Sequence, residues 1–119
     1  MKKILIVDDE QAIREFCQRI LSKNNFVTEL AQNAREALDM LDDTFGLVIS
    51  DYSMPDFNGM WLAVQIKDKF QGKIPVIIMT GTINDVKISE RESSGVCDFL
   101  SKPFNIDDIL GMVSRYLKL

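Results

Sequence analysis

Residues 4–10, with the sequence ILIVDDE, decide the fold of this chain, because a short apolar run ends there in two adjacent acids. Residues 45–51, FGLVISD, repeat the arrangement, and Asp51 follows the second apolar run. Runs rich in Ile and Val are typical of buried parallel strands, and a residue just past such a strand lies at its carboxyl end. Ligands bind at that edge of an open α/β sheet. Both acidic sites are therefore predicted to border a binding crevice.

The acids at these two sites would be crowded together by such a sheet. Asp8, Asp9 and Asp51 would repel one another by several kcal/mol in a partly desolvated crevice. A cation among them would offset this repulsion. We therefore expect a divalent metal ion beside a reactive aspartate.

The composition is that of one ordinary globular domain. The chain has 119 residues, of which 46% are hydrophobic and 27% are charged. This length suffices for one core but not for a second folded unit. No apolar run approaches the roughly 20 residues that a membrane-spanning helix needs, and no signal-peptide cleavage site follows the apolar start. We expect residues 1–119 to form a single cytoplasmic domain with no membrane partner.

Charge and residue types exclude several kinds of chemistry. The net charge of −4 argues against a nucleic-acid partner, which would need clustered Lys and Arg residues. The chain has no histidine, so it carries neither an imidazole base nor a phosphohistidine. Cys17 and Cys97 lie in or beside apolar stretches and are expected to be buried, reduced thiols. Carboxylates, hydroxyls, a lysine and a metal remain available for chemistry.

Strand-like and helix-like patterns alternate along the chain. Asn33 and Asn105 stand where helix N-caps are expected, and Gly59 is expected to take backbone angles that favour glycine. The prediction of a helix over residues 83–94 depends on few large apolar residues. The predicted strands cover residues 3–7, 26–30, 45–50, 75–80 and 98–101, and the predicted helices cover residues 11–23, 34–41, 60–70 and 83–94, with a last helix after Asn105.

This alternation predicts a doubly wound α/β fold with a five-stranded parallel sheet. Right-handed crossovers leave few other topologies, and the expected strand order is 2-1-3-4-5. The order reverses between strands 1 and 3, so the crevice should open at their carboxyl ends. Those ends carry Asp8, Asp9 and Asp51.

Four motifs, in this order, resemble the receiver domains of two-component response regulators, of the chemotaxis-regulator type. They are ILIVDDE at residues 4–10, LVISDYSMPDFNG at 47–59, VIIMTG at 76–81 and FLSKPF at 99–104. The resemblance covers the whole chain and implies a flavodoxin-like receiver fold. It also implies phosphorylation by a histidine kinase or histidine phosphotransfer protein, and a downstream protein or output domain as target. Such a domain is a switch that catalyses only its own phosphorylation and dephosphorylation.

The resemblance also implies a role for each acid in the crevice. Asp51 matches the phosphoacceptor, and a carboxylate is a competent nucleophile toward phosphorus. Asp9 matches a direct ligand of Mg²⁺, and Asp8 matches an acid that acts through water. Asp51 and the backbone carbonyl of Tyr52 are implied as the remaining protein ligands. Lys102 matches the lysine that pairs with the phosphoryl oxygens, which suits a flexible point charge.

Two further residues match the switch positions of the family. Thr80 matches the hydroxyl that bonds a phosphoryl oxygen, and Phe99 matches the aromatic residue that turns inward when that hydroxyl moves. This population shift would reshape the face formed by the helix over residues 83–94, the fifth strand and the last helix. Homodimer formation on phosphorylation is left open.

Three alternatives use the same residues or the same fold. A Mg²⁺-dependent aspartyl phosphatase or phosphotransferase similar to the haloacid dehalogenases needs a second acid two residues after the nucleophile, where this chain has Ser53. A receiver that acts only as a binding module would not require Asp8, Asp9, Asp51, Thr80 and Lys102, all of which are present. A flavin-binding domain would need a phosphate cradle in the first loop, where the sequence VDDEQA would repel a phosphate.

Overall fold

The computed structural model describes residues 2–81 and 94–117 as an α/β domain. The helix predicted over residues 83–94 lies almost wholly outside the described residues. Within the described ranges, no helix has both the length and the apolar character needed to cross a membrane. The strands are β1 (Lys3–Val7), β2 (Thr28–Ala31), β3 (Phe45–Asp51), β4 (Val76–Thr80) and β5 (Asp98–Ser101), and the helices are α1 (Gln11–Lys23), α2 (Ala34–Met40), α3 (Gly59–Phe70) and the C-terminal helix (Ile106–Tyr116).

The sheet has the predicted order, β2-β1-β3-β4-β5, and every neighbouring pair is parallel. Val7 pairs with Ser50, which places the ends of β1 and β3 side by side. Asp51 pairs with Met79, so the end of β4 lies next to the same point. The predicted doubly wound fold and its switch point between β1 and β3 are confirmed.

Two apolar layers explain why the strand sequences are continuous runs rather than alternating patterns. On one face, residues such as Leu5, Val48 and Ile78 are buried with the apolar side chains of α2 and α3. On the other face, residues such as Ile6 and Ile49 are buried with those of α1 and the C-terminal helix. A sheet that is covered on both faces requires apolar residues at successive positions.

The start of β2 differs most from its predicted boundary, whereas the other described elements differ by at most one residue. The Phe26 N–H donates to the Leu21 carbonyl at 3.1 Å, so Phe26 closes the end of α1. Pairing with β1 starts only at Thr28, opposite Ile4. The apolar side chain of Phe26 is nevertheless buried. Burial and strand pairing are therefore separate at this residue, and its apolar character indicated only the former.

Side-chain caps satisfy the N-termini of α2 and of the C-terminal helix. The Asn33 side chain accepts a hydrogen bond from the Glu36 N–H at 2.7 Å, as the predicted N-cap requires. Asn105 and Asp108 form a complete capping box at the start of the C-terminal helix.

Gly59 is needed for a close approach of α3 to β3, and the predicted reason for this glycine was wrong. It is not among the residues with positive φ; in this loop, Asp56 has that conformation, with φ 68°. A Cβ on Gly59 would overlap the Asp51 carbonyl oxygen and would lie 2.9 Å from Cδ1 of Ile78. The missing side chain lets the first turn of α3 pack directly against the end of β3.

We expect Gly59→Ala to lower the free energy of unfolding by about 1–3 kcal/mol, because the added methyl group displaces the end of β3. Urea denaturation followed by circular dichroism measures this change. Gly111→Ala is the matched control: nothing lies within 4 Å of its added Cβ, and an exposed helix position should gain up to about 1 kcal/mol from alanine. Equal stability of the Gly59→Ala variant and the wild type would contradict the packing requirement.

The two cysteines differ in exposure, and the prediction that both are buried was wrong for one of them. Cys17 on α1 is buried, whereas Cys97, just before β5, is exposed. Burial, with a contribution from the negative charge of Asp8, raises the pKa of the Cys17 thiol to about 12. Because the thiolate is the reactive form, Cys17 should be inert in the folded protein.

We expect one thiol to react rapidly with a chromogenic disulfide reagent at neutral pH and the second to react only on unfolding. Cys97→Ser should remove the rapid phase, and Cys17→Ala should leave it unchanged. Rapid reaction of both thiols in the folded wild type would show that Cys17 is accessible.

Candidate functional site

Three carboxylates meet at the carboxyl ends of β1 and β3. Asp8, Asp9 and Asp51 each offer an oxygen, and these atoms lie within 4.8 Å of one another. Asp8 is fully buried and Asp51 is 6% exposed, whereas Asp9 is exposed. The acids therefore lie together at the sheet edge that the sequence predicted, and Asp9 is open to solvent.

Lys102 lies among these acids. Its Nζ is 2.8 Å from Oδ1 of Asp51 and 3.4 Å from Oδ2 of Asp8. The backbone N–H of Lys102 donates to the Thr80 carbonyl at 2.9 Å, so the end of β4 fixes where the lysine leaves β5. The lysine supplies the positive charge that the acidic cluster requires.

Burial dominates the electrostatics of the two inner acids. It raises the pKa of Asp51 above the ordinary value, and the hydrogen bond and charge of Lys102 oppose this only in part. Burial also raises the pKa of Asp8, against the N–H of Glu10, which donates to Oδ1 at 2.9 Å. For Lys102, burial lowers the pKa, but the pairs with Asp51 and Asp8 outweigh it, so the net direction is upward.

The directions of these pKa shifts determine how the site affects the stability of the fold. A carboxyl whose folded-state pKa is raised stabilises the fold while it is protonated, below the unfolded-state pKa of roughly 4. That contribution is lost as the pH rises through the raised folded-state pKa. Ionisation of Asp8 and Asp51 in the folded protein therefore costs folding free energy. A metal ion that binds both would offset this cost.

The turn between β1 and α1 involves a residue that sequence reasoning missed. Nη1 of Arg14 donates to the backbone carbonyl of Asp8 at 2.6 Å. A side chain that reaches back to a main-chain oxygen leaves no mark in hydrophobic periodicity or in a motif, so this contact could not be predicted from the sequence.

The backbone of Tyr52 joins the strand end to two neighbours. Its N–H donates to the Met79 carbonyl at 2.9 Å, and its carbonyl accepts from the Gly59 N–H at 2.9 Å. A carbonyl oxygen has two lone pairs, so this arrangement leaves capacity for a second interaction. The oxygen predicted as a metal ligand is therefore already held by the first residue of α3.

The two residues at the expected switch positions lie on adjacent strands. Thr80 ends β4 and is 4% exposed, and its register partner on β5 is Ser101. Phe99 is half-buried and packs against the apolar layer of α2 and α3. Their positions are compatible with the expected switch. The helix predicted over residues 83–94, which the switch would also involve, lies almost wholly outside the described ranges.

Comparison with known proteins gives one family. The sequence pattern of the response regulator receiver domain matches residues 4–114. Response regulator MprA of Mycolicibacterium vanbaalenii is 34% identical over 120 residues, which cover 98% of this chain and 50% of that protein. The chain thus spans about half the length of the curated relatives it matches.

Solved structures with the same fold include two chains of similar length. Chemotaxis protein CheY4 of Vibrio cholerae has a TM-score of 0.91 and 30% identity, over 98% of this chain and 99% of that one. Response regulator TrrA of Thermotoga maritima, solved in complex with Mg²⁺ and BeF, has a TM-score of 0.83 and 30% identity, over 98% and 100% of the two chains. With the family match over residues 4–114, these likenesses show that the chain belongs to the response regulator receiver domains of two-component signalling.

Proposed function

We propose that this chain is a single receiver domain whose phosphoacceptor is Asp51. The observation that carries the proposal is the position of Asp51 at the end of β3, 2.8 Å from Nζ of Lys102 and beside two further acids. An aspartate oxygen would form the new bond to phosphorus while the bond from phosphorus to the donor's nitrogen breaks. The product is an acyl phosphate on the protein, which water later hydrolyses.

Asp51 is better suited to this role than its two neighbours. Asp8 is fully buried, and its two carboxylate oxygens accept hydrogen bonds from Glu10 and Lys102. Asp9 is exposed, which suits a residue that meets a hydrated ion. Asp51 is more exposed than Asp8 and less exposed than Asp9, and Lys102 contacts its carboxylate directly. Lys102 would pass from Asp51 to the phosphoryl oxygens.

The acidic cluster has the donor set that Mg²⁺ prefers, which is carboxylate and carbonyl oxygen with retained water. We assign Asp9 and Asp51 as direct ligands and Asp8 as a ligand through water. The Tyr52 carbonyl is the proposed backbone ligand. It already accepts a hydrogen bond from the Gly59 N–H, so it would bind the metal more weakly than the carboxylates. The ion would offset the negative charge of the carboxylates and of the incoming phosphoryl group. The Mg²⁺ and BeF complex of the similar protein TrrA supports this assignment.

The proposed partners follow from the chemistry of the chain. The chain has no histidine and so carries no phosphohistidine of its own, and membership of the receiver family supports a histidine kinase or a histidine phosphotransfer protein as the phosphoryl donor. Thr80 would bond a phosphoryl oxygen, and Phe99 would then turn inward and change the surface presented to a downstream protein, an output domain or a second copy. The domain acts in the cytoplasm and catalyses only its own phosphorylation and dephosphorylation.

We expect acetyl phosphate or phosphoramidate with Mg²⁺ to add one phosphoryl group to the wild type, as measured by intact-protein mass spectrometry. Asp51→Asn should abolish the added mass, because an amide is a poor nucleophile and cannot form the acyl phosphate. Asp56→Asn is the matched control: it removes an acid from the same loop, and Asn tolerates its positive φ.

Labelling of Asp51→Asn at the yield of the wild type would contradict the assignment of the phosphoacceptor. Sustained release of phosphate from general phosphomonoesters would instead indicate a phosphatase.

A further inference from the structure

We infer that Arg14 is a positioning residue for the metal-binding acids, acting through the backbone of the turn between β1 and α1. The inference rests on the proposed Mg²⁺ site and adds a residue that none of the motifs in the sequence contains. Arg14 would touch neither the metal ion nor the phosphoryl group. Its role would be to set the direction in which Asp9 points.

The contact is made by a charged donor to a single backbone oxygen. Nη1 of Arg14 lies 2.6 Å from the carbonyl oxygen of Asp8. The backbone N–H of Arg14 also donates to the Glu10 carbonyl at 3.1 Å, in the first turn of α1. The helix therefore fixes the base of the side chain, and the guanidinium of this half-buried residue reaches back to the end of β1. Hydrogen bonds from an ionised donor are stronger than those between neutral groups.

The oxygen that Arg14 holds belongs to the peptide unit between Asp8 and Asp9. That unit is planar, so a bond that restrains its oxygen also restrains the position of the Cα of Asp9. Asp8 is held independently, by its N–H to the Ala31 carbonyl at 3.2 Å and by the bonds to its carboxylate. Asp9 is exposed, and the peptide unit before it sets where its Cα lies relative to the cluster.

The contact matters because the start of α1 lacks a side-chain cap. Glu10 occupies the N-cap position, and its side chain makes no capping hydrogen bond. The N-terminal turn of this helix is therefore not secured by a side-chain cap as α2 and α3 are, where Asn33 and Asn58 accept from the helix backbone. Arg14 instead connects α1 to the end of β1 across the same turn, by its hydrogen bond to the Asp8 carbonyl.

Arg14 and Lys102 are both cations near the acids, yet they should affect metal binding in opposite directions. Lys102 occupies carboxylate oxygens of Asp51 and Asp8 that an ion would need. Arg14 engages a carbonyl oxygen and leaves the carboxylates available. If Arg14 acted only through its charge, its removal would tighten Mg²⁺ binding. If it positions Asp9, its removal weakens binding, so the sign of the change separates the two roles.

We expect Arg14→Ala to raise the dissociation constant for Mg²⁺ about tenfold, the lower end of the effect typical of groups that orient metal ligands. Isothermal titration of the folded protein with MgCl₂ measures this constant. Arg19→Ala is the matched control, since it removes the same charge from an exposed position on the same helix and should leave the constant within about twofold. Arg14→Lys keeps a long cationic donor and should recover part of the affinity.

An unchanged or lower dissociation constant for Arg14→Ala would overturn the inference, as would an Arg14→Lys variant no better than Arg14→Ala. Circular dichroism in metal-free buffer checks that each variant is folded. If Arg14→Ala is unfolded, the comparison of Arg14→Lys with the wild type decides, and equal affinities would count against a role for the guanidinium. A wild type that binds no Mg²⁺ would instead refute the proposed metal site itself.

Discussion

The ion pairs of Lys102 with Asp51 and Asp8, at 2.8 and 3.4 Å, are the interactions on which the rest of the site depends. Each partner comes from a different strand end, and the parallel sheet of order β2-β1-β3-β4-β5 brings these ends to one edge. The close packing of Gly59 on β3 and the bond from Lys102 N–H to Thr80 keep the partners in place. The sheet thus serves chiefly to hold like charges together around one cation.

This arrangement exchanges stability for reactivity. Burial raises the pKa of both inner acids, so keeping them ionised at neutral pH opposes folding. The apolar layers on the two faces of the sheet supply the stability that allows this. A divalent ion that binds in the cluster would offset this electrostatic cost.

The sequence predicted the site better than it predicted the contacts that support the site. Continuous apolar runs that end in acids were enough to place Asp8, Asp9 and Asp51 at one edge, because parallel strands buried on both faces leave few alternatives. Gly59 was recognised as necessary but for the wrong reason, since a close approach between segments distant in sequence leaves no local pattern. The same holds for Arg14, whose donor contact with the Asp8 carbonyl depends on the path of the backbone. Cys97 lies just before the edge strand β5, and its exposure likewise could not be predicted from the apolar residues that follow it.

Equilibrium unfolding of the wild type and of Asp51→Asn, each in metal-free buffer and with Mg²⁺, tests the central claim that the buried carboxylate charge opposes folding and that Mg²⁺ offsets what Lys102 leaves uncompensated. Without metal, Asp51→Asn should be the more stable protein, because it lacks an acid whose pKa burial has raised. Mg²⁺ at a hundred times its dissociation constant should stabilise the wild type by about 2.7 kcal/mol and the variant far less. A wild type more stable than Asp51→Asn without metal, or equal stabilisation of both by Mg²⁺, would contradict the account.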